Sequence, residues 1–154
     1  MELSRGITGF RHVDDPPLPV SDFAGFRGHC HAAARMLGGR VVSVDAHVWG
    51  VETNFARAVL QLRSQTVAVL LNAHYPMIAL ADPVADGDRQ LCFVDAPDVA
   101  AVFRTFGIYE VLVSSDLTAP LTTEACRHLA SAELEQVEYW KPRRVGDLVF
   151  NFWD

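Results

Sequence analysis

The sequence predicts an α+β domain, with a mainly antiparallel sheet of about six or seven strands and about four helices packed on it. Three observations carry this. Apolar and polar residues alternate over 40–49 and again over 53–63, the pattern of half-buried strands. "TVAVLLN" (66–72) is apolar on both faces, so it belongs in the middle of a sheet with both sides covered. Apolar residues recur at helical spacing over 23–37 and 97–106, each stretch ending at glycine.

The chain is expected to form one domain over 1–154, with 1–20 an extended N-terminal segment stiffened by "DDPPLP". The first helix follows. Ser21 is its expected N-cap, Phe23, Phe26, Cys30, Ala33 and Leu37 form its apolar stripe, and Gly38-Gly39 stops it. Within it "HCH" (29–31) looks like a set of metal ligands. Residues two apart on a helix point about 200° from each other, so His29 and His31 cannot share a metal, and Cys30 falls on the core stripe. One of the two histidines remains able to join a site built elsewhere. Gly25, Gly28 and Ala32 share this helix. Mid-helix glycines cost roughly 1 kcal/mol each, so close approach of another backbone is expected there.

"RVVSVDAHVW" (40–49) places Val42, Val44, Ala46 and Val48 on one face and Ser43, Asp45, His47 and Trp49 on the other. A short loop near Gly50-Val51 makes this run a hairpin with 53–63. If the loop has three residues, Asp45 faces Arg57. The third strand is 66–72, and the fourth is "MIALA" (77–81), after a bend at Tyr75-Pro76. Residues 81–90 form a polar turn region, followed by a strand at 91–95, a helix from Pro97 to about Phe106, and a strand at 109–115. A short threonine-capped helix is expected over 121–132 and an edge strand over 133–140. The last stretch, 145–152, fits helix better than strand, and the aromatics of "VFNFWD" are expected to be buried.

Composition excludes several functions. Half the residues are apolar and about a fifth charged, the balance of a folded soluble chain. A net charge of −6, with "KPRR" (141–144) the only basic cluster, argues against nucleic acid. No apolar run reaches the ~18–20 residues of a membrane span. The N-terminus lacks the pattern of a secretory leader, and the three cysteines are odd in number and widely spaced. A cytoplasmic protein is therefore expected, without disulfides. Phosphate-loop, dinucleotide, nucleophile-elbow and metal-protease spacings are all missing, so no metal and no cofactor is expected.

Two functional readings remain. In the first, the chain is a small acidic, non-enzymatic protein-binding domain, immunity-type or regulatory, whose charge suits a basic partner. Homodimerisation is a further way to cover the glycine face and the two-sided third strand. The expected binding residues are Trp49, Asn54, Tyr75, Trp140, Arg143 and Arg144, since aromatics and arginine favour interfaces. In the second, the chain is a small enzyme or ligand binder. His47, Glu52 and His74 would then be catalytic, with Asn54 and Tyr75 gathered beside them at one end of the sheet.

Overall fold

A computed structural model describes residues 1–46, 53–83 and 90–153. The fold is α+β: among the described residues, a six-stranded, mainly antiparallel open sheet with five helices. The strands are β1 (Arg40–Asp45), β2 (Phe55–Gln61), β3 (Thr66–Asn72), β4 (Met77–Ala81), β5 (Phe93–Val94) and β6 (Glu110–Val111). The first five pair antiparallel in chain order, and β6 pairs parallel with β4. The helices are α1 (Phe23–Met36), α2 (Pro97–Thr105), α3 (Ser114–Thr118), α4 (Ser131–Trp140) and α5 (Val145–Val149). No helix of the described residues is long and apolar enough to cross a membrane.

β3 is central, as its two apolar faces require. Val67, Val69 and Leu71 pack with Phe26, Cys30 and Phe103 of α1 and α2. Ala68 and Leu70 pack on the opposite side with Leu117, Leu148, Phe150 and the N-terminal residues Leu3 and Ile7. Helices thus cover both faces of the sheet. Residues 1–20 contain no helix or strand, yet Leu3 and Ile7 are buried within this second core.

α1 obeys its sequence signals with one change. The N-cap is Asp22, whose Oδ1 accepts the Gly25 N–H at 2.9 Å, and not Ser21. At the other end Gly38 adopts a φ of +72°, and Gly39 N–H reaches the Ala34 carbonyl at 2.8 Å. Only glycine takes this left-handed closing turn without strain. Among the described residues of the chain, no other backbone approaches Gly25 or Gly28 closely. A Cβ on Gly25 would meet the Asp22 cap, and one on Gly28 would meet nothing within 4 Å. The close approach falls at Gly39, where a Cβ would lie 2.2 Å from the Gln61 carbonyl oxygen.

The hairpin register places Asp45 opposite Arg57, as the short-loop argument expects. The strict alternation of β1 is interrupted, however. The register shifts between Val41 and Ser43, so Val41 and Val44 face the core while Val42 is 51% exposed. A bulge of this kind carries one extra residue and resets the faces.

The C-terminal third departs most from expectation. The strand at 109–115 shrinks to Glu110–Val111 because the Asp95 carboxylate takes both the Ser114 N–H and hydroxyl, at 2.8 and 2.7 Å, where α3 begins. Those bonds also hold the Asp95 carboxyl below the usual carboxylate range, the Ser114 N–H contributing most. The expected helix at 121–132 is a run of turns at 123–128. Thr122 Oγ1 does accept the Ala125 N–H, but the following bonds return only three residues. The Ala125 carbonyl is turned instead to Leu3 N–H at 3.1 Å. The expected edge strand at 133–140 is the helix α4. Its glutamates, Ala132 and Leu134 are strong helix formers, and its buried face runs from Ala132 and Glu133 to Val137 at helical spacing.

Two outcomes follow from this packing. Gly28→Ala should raise stability in urea unfolding by about 0.5–1 kcal/mol, since only the entropic cost of glycine is removed. Gly39→Ala should lower it by about 1–3 kcal/mol through overpacking against the Gln61 backbone. Burial pushes the Cys30 thiol up to about 12, so Cys30 stays protonated at mildly alkaline pH. Exposed Cys92 should be the one thiol that a disulfide reagent modifies rapidly in the folded protein. Cys92→Ser should abolish that phase.

Candidate functional site

The end of the sheet where a catalytic cluster was expected holds a buried polar lattice. Asn54 precedes β2, Asn72 closes β3, and Asn151 follows α5. Both Asn54 and Asn72 donate through Nδ2 to the same two carbonyls, Ile7 and Val149, at 2.8–3.0 Å. Asn54 Oδ1 accepts the Asn151 N–H at 2.7 Å, and Asn72 Oδ1 accepts the N–H groups of His74 and Tyr75. Asn151 Nδ2 donates to the carbonyls of Thr8 and Leu148. Each amide has its donors and its carbonyl engaged, leaving nothing for a substrate. Asn54 thus holds the N-terminal segment and the end of α5 against the start of β2.

Beside this lattice lies a second buried polar centre that the sequence reading missed. The Glu133 carboxylate is fully buried. It accepts the N–H groups of Gly6, Thr8 and Ala130 and the Thr8 hydroxyl, all at 2.8–3.1 Å. Its one sequence trace is a glutamate at the third position of a helix, the place from which a carboxylate reaches back to the preceding N–H. Reading 133–140 as a strand hid that trace.

His74 and Tyr75, the neighbouring site residues among those described, turn to different partners. His74 Nδ1 lies 2.8 Å from the Pro19 carbonyl. A carbonyl only accepts, so the proton sits on Nδ1. Tyr75 turns away and donates its hydroxyl to the Arg5 carbonyl. Burial, with the Glu133 charge adding, raises the Tyr75 pKa. His47, Trp49 and Glu52 lie outside the described residues. Among the described residues no group of three His, Cys, Asp or Glu side chains could hold a metal ion.

The C-terminal residues do form a surface. Phe150 and Phe152 are buried, as expected, meeting Phe55 edge-on at 5.9 and 5.3 Å. Trp153 is only half-buried. It lies parallel to Trp140 of α4, with interplanar angle 1° and centroids 6.4 Å apart. Tyr139, 76% exposed, meets Trp140 edge-on at 5.2 Å. Lys141, a helix cap with φ of +51°, and Arg143 complete a groove of about 280 Å³ with the two indoles. Both cations are exposed. Arg144 does not share this role. It holds Asp147 through two nitrogens at 2.6–3.1 Å, donates to the Leu91 carbonyl, and lies 5.2 Å over the Phe93 ring. Of the expected binding residues, the structure brings Trp140 and Arg143 together and assigns Arg144 to packing.

No protein-family model matches the chain, and no curated protein or solved structure is similar to it. Chemically, the groove can stack planar groups against indole and pair carboxylates with Lys141 and Arg143.

Removing the buried carboxylate should be costly. Glu133→Gln turns an amide N–H₂ toward either the Thr8 N–H or those of Gly6 and Ala130, stranding at least one of them at ~1–3 kcal/mol and removing the charge that strengthens the other bonds. It should lower urea-unfolding stability by about 3 kcal/mol, whereas Glu135→Gln, at an exposed position of the same helix, should change it by less than about 0.5 kcal/mol.

Proposed function

We propose that this chain is a small acidic protein-binding domain, and that a partner seats on the groove between α4 and the C-terminal segment. The observation that supports this reading most directly is the exposed aromatic and cationic set of Tyr139, Trp140, Lys141, Arg143 and Trp153. Large aromatics cost solvation when left open, and they lose little side-chain entropy when covered. Two exposed cations at their rim, with no ion pair among the described residues, favour a partner segment that offers a carboxylate beside a planar or apolar group. The net charge of −6 on the whole chain favours a partner that is basic elsewhere. Stoichiometric capping, as by an immunity-type or regulatory protein, is the form of binding that a small domain of this charge suits.

The groove position is tested by site-specific photo-crosslinking in host cells. A crosslinker at Tyr139 should capture one partner, and Trp140→Ala or Arg143→Glu should reduce capture by about tenfold or more, as loss of an interface anchor does. A crosslinker at Arg35, on the far face of α1, should capture none. Equal capture from both positions, or capture unaffected by both substitutions, would overturn the reading. A product crosslinked to a second copy of the chain would identify the partner as a homodimer mate.

A further inference from the structure

The two edges of the sheet differ. At one edge β5 and β6 have two residues each. At the other, β1 has six, and among the described residues no strand pairs with its outer side. An open edge strand carries unpaired N–H and C=O groups that can accept another strand. The sequence of β1, RVVSVD, contains no lysine or proline, the residues that most often block such an edge. Val42 is 51% exposed. Arg40 and Asp45, at its two ends, are both exposed, and neither has an ion pair among the described residues.

The bulge of β1 decides which strand fits. In a regular strand, residues an odd number apart point to opposite faces. Arg40 would then be split from Asp45, and Val41 from Val44. The extra residue at Val42 removes that split. Arg40 and Asp45 stand opposite Gln61 and Arg57, so they share one face. Val41 and Val44 stand opposite Leu60 and Ala58, on the face that α1 covers. Read from either end, β1 therefore presents the same order of faces and side-chain types, with the end charges reversed in sign.

We propose that β1 pairs antiparallel with β1 of a second copy of this chain, about a two-fold axis between Val42 and Ser43, so that two sheets become one. In that register Arg40 faces the second copy's Asp45, Val41 faces its Val44, and Val42 faces its Ser43. The two-fold axis makes each of these contacts twice. Every pairing joins residues of the same face. Sliding by one residue would set side chains of different faces opposite each other. Parallel pairing in register would set Arg40 beside Arg40 and Asp45 beside Asp45, which like-charge repulsion opposes. Backbone bonds and valine contacts supply the association. The exposed ion pairs add little affinity but fix direction and register. The inference does not depend on the groove of α4, which uses none of these residues.

The test is sedimentation equilibrium of the full chain over a concentration series, beside three variants. The unaltered chain should dimerise reversibly. Val42→Lys, at a position exposed in the protomer, should weaken the dimer by about tenfold or more, since it sets two lysines beside the axis. Arg40→Asp and Asp45→Arg should each weaken it by about tenfold, because each brings like charges opposite at both ends. Mixed one to one, these two variants should dimerise as tightly as the unaltered chain, since every end again pairs unlike charges. Far-UV circular dichroism checks that each variant is folded. If Asp45→Arg is not, as its place opposite Arg57 would explain, Val42→Lys decides the matter alone. A chain that stays monomeric throughout the series, a dimer untouched by Val42→Lys, or a mixture of folded charge variants that fails to recover would each overturn the proposal.

Discussion

Asn54 and Asn72 donate to the same pair of carbonyls, Ile7 and Val149, and that shared demand governs much of the architecture. Those carbonyls belong to segments far apart in the chain, one in the N-terminal segment and one at the end of α5. Neither segment pairs with the sheet, so their buried backbone groups need side-chain partners. The two asparagines supply them from neighbouring strands, and Asn151 answers with its own N–H to Asn54. The bonds clamp both termini over one end of the β2–β3 pair. Leu3, Ile7, Phe150 and Phe152 can then fill the core on that face.

Glu133 extends the same logic. A buried carboxylate is tolerable only when its oxygens are saturated. Three backbone N–H groups and a threonine hydroxyl saturate it, drawn from the N-terminal segment and the start of α4. It ties those two elements together as the asparagines tie the N-terminal segment to the sheet. With this end of the molecule committed to internal bonds, exposed chemistry moves to the periphery. It appears in the indole groove of α4.

The sheet was legible because its signals are local. β3 announced itself by a run apolar on both faces, and the Asp45–Arg57 register is the one that alternation allows when the connecting loop is short. α1 and α2 were legible from stripe, proline and closing glycine. The misreadings share a cause. Residues 133–140 alternate well enough to pass for a strand, yet their intrinsic helix propensity and the four bonds to Glu133 decide for α4. Residues 121–132 carry a threonine cap and an apolar stripe, but the Ala125 carbonyl is turned to Leu3, and a helix does not propagate. The catalytic cluster was grouped by its expected place at one end of three neighbouring strands; His47 and Glu52 lie outside the described residues, and of its described members Asn54, His74 and Tyr75 each face a different partner. Trp140 and Arg143 were recognisable by residue type, but whether Trp153 is sealed in the core or stands beside Trp140 depends on a distance that sequence does not carry.

The sequence by itself determined the class, the central strands, the helices that cover one face and the burial of the C-terminal phenylalanines. Each rests on periodicity, turn chemistry or apolar content within about ten residues of chain, which local physics settles. Tertiary structure alone decided which polar side chains would be consumed and which left open. It turned Asn54, Asn72, Asn151 and Glu133 into clamps, paired Arg144 with Asp147, and left Trp140, Lys141 and Arg143 exposed. A polar side chain's role depends on which distant backbone groups come to lie unsatisfied beside it, and only the assembled fold brings those groups together.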